Sequence, residues 1–306
     1  MARANATQWF ATERVIPSPG TSALDGQIRV NVTKTIWLVA HGVAGITGII
    51  LFAQLDALLI FLALTGLTIC AGHSVGMHRL LIHRSFHVPR GVEYLLVWLG
   101  VLVGMAGPFG MIRAHDMRDW HQRQLECPPH PSHGAGFWRD AWWQLCCDFS
   151  LRAPPAFIIE DSVQNDRFYR VLEKTWMAQQ IPLALVLYAT GGWAWVLWGI
   201  CLRIFVSLSG HWLVGHFAHR CGTQDGMVPN LPVQGYNLHG LGLITFGENW
   251  HGNHHAFPHS AQLGIENGQI DPGFFLIQTL AKLGIASQVK TPTSEPARPD
   301  LVRVHR

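Results

Sequence analysis

Residues 36–70 read IWLVAHGVAGITGIILFAQLDALLIFLALTGLTIC, and Asp56 is the only formal charge in the stretch. As a single helix rising 1.5 Å per residue it would be about 50 Å long, well beyond the ~30 Å hydrocarbon core of a bilayer. Two shorter spans that turn near Gln54-Leu55-Asp56 fit it instead. A second block, Trp176–Val214, repeats the arrangement. Arg203 is its only formal charge, and Thr190-Gly191-Gly192 interrupts it, as the turn of a second helical hairpin would.

The rest of the chain agrees with this reading. Of 306 residues, 49% are hydrophobic and 13% charged, against about 25% charged in soluble domains. A net charge of +3 disfavours a nucleic-acid binder. Of the 22 Lys and Arg, only Arg203 falls inside either apolar block. The positive-inside rule therefore puts both termini and the middle of the chain in the cytoplasm. A third apolar run, Gly91–Met111, is long enough to span. It is read as an interfacial helix, because a crossing would separate the histidines on its two sides. Residues 1–34 lack the apolar core of a secretory leader. Six cysteines form no C-x-x-C pair, so no thiolate zinc site is expected. The tail Thr291–Arg306 is polar and Pro-rich, and is expected to lack structure. The expected fold is all-α and integral to the membrane, one domain over 1–306. Its parts are a first hairpin at 36–70, a cytosolic or interfacial segment at 72–175, a second hairpin at 176–214 and a cytosolic segment at 215–290.

Eighteen histidines are the other anomaly, since membrane proteins seldom keep ionisable groups without a use. They cluster at the edges of the apolar blocks. His73, His78 and His83 follow the first block, and His115 and His121 follow Met111. His211, His216 and His219 close the second block, and His251, His254 and His255 come last. On a helix, His251, His254 and His255 share a face. His78 and His83 lie about 140° apart on an α-helix, so they reach two metals, or one if the helix is distorted. Imidazole ligates iron, copper and zinc. The candidates are too many for one ion, and two metals are the economical reading. His41 is expected to bond across helices, and His87, His130, His133, His259 and His305 to be solvated or interfacial. His239 is a weak candidate to support a ligand.

Gly76-Met77-His78-Arg79 with His83-Arg84-Ser85-Phe86, and Gly247-Glu248-Asn249-Trp250-His251 through Pro258, resemble the first and third histidine boxes of the membrane fatty acyl desaturases. That group includes acyl-CoA Δ9 desaturases and bacterial acyl-lipid enzymes. His216-Phe217-Ala218-His219-Arg220 resembles the stretch that supplies one further ligand, carried onto His216, and Ile270-Asp271-Pro272 also has the family's look. The resemblance covers roughly residues 35–292. It implies four membrane helices, a cytosolic helical cap and a non-haem di-iron centre. It also implies O2-dependent desaturation of a fatty acyl chain on CoA, acyl-carrier protein or lipid. Electrons would come from a ferredoxin or a cytochrome b5-like donor, since nothing in the chain resembles a haem, flavin or iron–sulfur domain. The location implied is a bacterial inner membrane. The ligands implied are His78, His83, His115, Asp119, His216, His251, His254 and His255, with Glu248 and Asn249 orienting ligands or hydrogen-bonding oxygen.

The second box departs from the family's H-x-x-H-H. Here it reads His115-Asp116-Met117-Arg118-Asp119. Arg118 is always protonated and cannot ligate. A carboxylate suits non-haem iron, so Asp119 ligates, or else it only pairs with an arginine and His121 or Asp116 takes its place. Two rivals stand beside desaturation: another lipid oxidation such as hydroxylation on the same scaffold, and a non-catalytic membrane protein that binds lipid or metal at a degenerate site.

Overall fold

The computed structural model describes residues 14–294 and 299–304. Residues 1–13, His305 and part of the polar tail lie outside the described residues. Helix α1, Val32–Leu51, starts at Asn31, whose side chain accepts from the Lys34 amide. Three residues later α2 runs over Leu55–Ile82, so the turn falls where the polar Gln54 interrupts the apolar run. Then follow α3 (Arg90–Val101), α4 (Pro108–Gln122), α5 (Phe137–Cys146) and α6 (Arg167–Thr175). The long α7 covers Gln180–Ala218. Two shorter helices close the chain, α8 (His251–Ala256) and α9 (Pro272–Lys282).

Among the described residues, α1, α2 and α7 are the helices long and apolar enough to cross a membrane. Four spans were expected; three such helices are found, because the second apolar block runs through as α7. That helix is interrupted once, at Gly192, whose φ of 63° and ψ of −156° leave helical space, a conformation only glycine adopts readily. Helix α3 has 12 residues and is about 18 Å long, too short to span. The run Gly91–Met111 thus breaks at residues 102–107 into α3 and the start of α4. Val39, Val43, Ile46 and Ile50 on α1, Leu59 and Leu62 on α2, and Leu185 and Val186 on α7 turn large apolar side chains outward. Lipid is the solvent that suits such faces.

Helix α2 changes character at Thr68. From there to Ile82 it is bonded i→i+5, a winding often found at functional sites. Its last such bond joins His83 N to His78 O at 3.0 Å. This wide turn packs directly on α3: a Cβ on Gly72 would lie 2.4 Å from the carbonyl carbon of Leu99, and one on Gly76 2.4 Å from Leu96 O. Below the contact, Met77, Leu81, Val97, Val101, Ile112 and Tyr169 form one buried cluster from α2, α3, α4 and α6. His41 does not bond across helices; its Nδ1 lies 2.7 Å from Trp37 O in its own helix.

Strands are few and short. Gly26–Val30 pairs antiparallel with Cys147–Leu151, tying the entry of α1 to the end of α5. Val15–Ile16 pairs with Ala156–Phe157. Val302–Arg303 pairs with Gly226–Met227, so this part of the tail has a partner where no structure was expected. A buried ion pair ties two distant segments together. Arg79, in α2, donates to Asp271 Oδ1 at 2.8 Å and to Ala261 O at 2.8 Å. Asp271 in turn accepts from Leu263 N and Phe274 N and so caps α9. The wide turn of α2 is thereby fastened to the segment that carries the last histidines.

Candidate metal centre

Two groups of histidines meet where α2, α4, α7 and α8 converge. His78, His83, His115 and His254 form the first, and His219, His251 and His255 the second; within each group one ligating atom per residue lies within 4.8 Å of all the others. The wide turn explains why His78 and His83 join the same group. Bonding i→i+5 brings residues five apart nearly into line, whereas an α-helix would splay them. His115 arrives from the middle of α4. His254, from α8, packs its ring 4.6 Å from His78 and 4.7 Å from His83.

The ring nitrogens face one another. His83 Nε2 and His115 Nε2 are 3.2 Å apart, His219 Nε2 and His251 Nε2 3.1 Å, and His251 Nε2 and His255 Nε2 3.0 Å. Two nitrogens on one ion at about 2.1 Å lie roughly 3.0–3.4 Å apart, from right-angled to tetrahedral geometry. On three of the seven rings the opposite nitrogen lies beside an oxygen acceptor. His78 Nδ1 lies 2.7 Å from Glu248 Oε2, His115 Nδ1 3.1 Å from Asp116 Oδ1 and His219 Nδ1 2.7 Å from Gly215 O. That pattern places the proton on Nδ1 and leaves Nε2 as a bare lone pair, as metal-binding histidines require. Burial, followed by the neighbouring imidazoles, holds His83, His219, His251 and His254 well below the usual histidine range. A cluster of neutral imidazole donors is a receptor for a soft or borderline cation, so these residues fit a metal pair.

The carboxylates around the groups fall into distinct roles. Glu248 also accepts from Ser74 Oγ at 2.6 Å. Burial would raise its carboxyl, but His78 and then Arg79 hold it below the ordinary range. Asp116 links His115 to Arg14, which donates to it at 2.9 Å and also bonds Glu160. His115 is pushed down by burial yet ends up raised, because Asp119 and Asp116 face it. Asp119 is buried between the groups. Burial would raise it, but His115 and Arg123, then His255 and His251, hold it well below the carboxylate range. Its Oδ2 accepts from Arg123 at 3.1 Å. Arg118 turns away to a neutral partner, Gln144 Oε1, at 2.9 Å.

Two expected residues stand elsewhere. His216 is grouped with His133 and Asp140 rather than with the second set; its Nδ1 lies 2.7 Å from Asp140 Oδ2. His219, at the C-terminal end of α7, takes the place expected of His216. Both lie on one side of the helix, and which of them reaches α8 depends on how the helix ends. Asn249 is fully buried, but its Oδ1 accepts from Thr245 Oγ1 at 2.8 Å and its Nδ2 donates to Leu238 O at 2.7 Å. Its amide therefore shapes the loop before α8 and does not face the histidines. His130 and His133, expected at the surface, are buried. Asp140 accepts from Trp212 Nε1 at 2.9 Å and lies 2.9 Å from His133 Nδ1, a hub that no sequence motif announced. His239 lies 2.8 Å from Thr223 Oγ1.

Known proteins now bear on this geometry. A family model described as Fatty acid desaturase matches residues 55–263, a range that contains both histidine groups. The chain belongs to the fatty acid desaturase family. It is 33% identical over 219 residues to the sn-1 stearoyl-lipid 9-desaturase of Anabaena variabilis, covering 72% of this chain and 78% of that one. It is 33% identical over 230 residues to the sn-2 palmitoyl-lipid 9-desaturase of Nostoc sp. (strain 36), covering 71% and 76%. An acyl-CoA 5-desaturase of Anemone leveillei is 31% identical over 238 residues, covering 76% and 72%. This desaturase is thus an enzyme of lipid metabolism, and its activity is desaturation of a fatty acyl chain.

Proposed function

We propose that the desaturase carries two irons, one held by His78, His83, His115 and His254 and the other by His219, His251, His255 and Asp119. When bound, the irons supply the O2-dependent oxidising power needed to remove two hydrogens from an unactivated acyl chain. What supports this reading is the convergence of seven imidazoles in two adjacent groups, with the Nε2 atoms of five of them facing one another. Asp119 is drawn to the second group because three imidazoles leave an ion short of ligands. It already sits within electrostatic range of His251 and His255. Glu248 is a positioning residue: it holds the His78 ring from behind and is itself held by Ser74.

The acyl chain would lie among the helices beside these groups, where packing fixes which carbons face the centre. The stretch from Trp176 to Gly191, in which the turns at 176–179 lengthen the 12 helical residues ahead of the break, and the stretch after Gly192 then each cross the bilayer, with Gly192 as their turn. Straight, the 39 residues of α7 would measure about 58 Å, so the break divides a helix too long to be one span. That gives four crossings and leaves both termini with the histidines on the cytoplasmic side. Electrons come from a separate donor such as a ferredoxin or a cytochrome b5-like protein. The relatives named for stearoyl- and palmitoyl-lipids make a membrane lipid the carrier to try first.

Expression in a host of defined fatty-acid profile, with lipid mass spectrometry and metal analysis of the purified protein, tests the reading. A product lighter by two hydrogens and two irons per chain are expected. A product heavier by one oxygen would make the enzyme a hydroxylase, and a metal-free, inactive protein would overturn the assignment altogether.

A further inference from the structure

Two histidines beside the centre belong to neither metal group. His73, in the wide turn of α2, and His211, in α7, set their rings 5.0 Å apart at 86°. Among the described residues neither ring makes a hydrogen bond. His73 is buried, 7% exposed. A buried imidazole always carries at least one N–H, and leaving it unmatched costs about 1–3 kcal/mol. His73 thus calls for a partner, and the structure sets the His211 ring beside it.

The position of His211 shows where that partner lies. Residues 204, 207, 211, 215 and 218 share one face of α7 by helical periodicity. Ile204, Ser207 and Ala218 on that face are 0%, 4% and 0% exposed, while the lipid-facing side is marked by Val206 and Phe217. His211 is nevertheless exposed. An open side chain on a buried face looks into an internal opening, not into lipid. Arg118, Glu248, His78 and His73 are all within electrostatic range of its ring, so the opening adjoins the first histidine group. One turn away, the buried Ser207 hydroxyl also lacks a partner.

We infer that His73 and His211 are a specificity pair, binding a hydrogen-bonding substituent such as a hydroxyl or oxo group on the acyl chain close to the carbons that react. The inference rests on the desaturase reading above and adds a substrate class to it. A plain hydrocarbon chain in this opening would leave both N–H groups dry and unmatched. A site built to bond a polar group discriminates strongly against an analogue that lacks it.

The test is equilibrium binding to the purified full chain in detergent, by competition with a fluorescent fatty acid. Stearate is compared with a set of mid-chain hydroxystearates. The expected result is that at least one hydroxystearate binds about tenfold or more tightly than stearate, the equivalent of one or two buried hydrogen bonds. His73→Leu and His211→Leu should each bring the ratio towards one, and His211→Gln, which keeps an N–H donor, should retain most of it. Equal binding of all the chains to the unmodified protein overturns the proposal, as does a preference unchanged by both leucine variants. Binding is read without turnover, so this outcome is separate from the lipid analysis that tests desaturation itself.

Discussion

The two histidine groups are built to different standards. The first takes four imidazoles from three elements: two from a helix wound wide to align them, one from α4 and one from α8. The second takes three, and Asp119, bonded to Arg123, lies within electrostatic range of His251 and His255 as well as of His115. The two departures of this chain from its family's second box part company: Arg118 turns to Gln144, and Asp119 lies among His115, Arg123, His255 and His251. A complete imidazole set is neutral and rigid. A carboxylate brings a negative charge, and an anion on a metal favours its oxidised state. On the assignment proposed above, the first site is the conventional half of the pair, and the second is the half that this chain has altered.

The largest expected effect tests the complete group. His254→Ala should abolish desaturation and lower bound iron by at least half, while the protein still inserts, since lost coordination energy is not replaced from neutral surroundings. Near-normal activity in this variant would break the assignment of the first site. Next comes the helix end. His219→Ala should lose the second iron. His216→Ala should keep both irons and show its damage as lower thermal stability, because its ring is held by Asp140 and does not reach α8. The reverse pattern would return the ligand role to His216.

These variants also mark how far the sequence could be read. The apolar blocks, the histidine boxes and the polar turn at Gln54 were legible, because composition and spacing carry them directly. The choice between His216 and His219 was not. Both lie three residues apart on one side of α7, and only the end of the helix aims one at His251. Grouping His78 with His83 needed the i→i+5 winding, a backbone feature with no side-chain signature. Asn249 looked reactive beside Glu248, yet its amide is committed to Thr245 and Leu238. Asp140 belongs to no motif in the sequence, and only tertiary contacts reveal it as the hub for His133, His216 and Trp212.

A smaller effect sharpens the comparison at its weak point. Asp119→Asn removes the anion but keeps the shape, and should weaken the second iron by about 10–100-fold with the first unaffected. Asp119→His should restore binding and raise the reduction potential, because a neutral ligand replaces a charged one. If neither variant changes iron content or redox behaviour, Asp119 serves only Arg123, and the second site works with three imidazoles.

The smallest effect contrasts the imidazoles of the two groups with buried histidines outside them. His121, His130 and His133 are each pushed down to about 4, in every case chiefly by burial. In the unfolded chain they titrate near 6.5. Their folded values are depressed, so the stability they contribute is complete above about 6.5 and is lost as pH falls towards 4. Asp140 stays charged through this window, since His133 and Trp212 outweigh its burial and hold it below the carboxylate range; it adds no slope there. The melting temperature should therefore fall by at least about 5 °C between pH 7 and pH 5. Much of that fall should persist when chelator has removed the iron, because none of the three rings belongs to either group of the proposed centre. His130→Gln should flatten the slope by about a third, one ring of three. A melting temperature that is flat from pH 7 to pH 5 without iron would show that these imidazoles take up protons in the folded chain, and that burial does not keep them neutral.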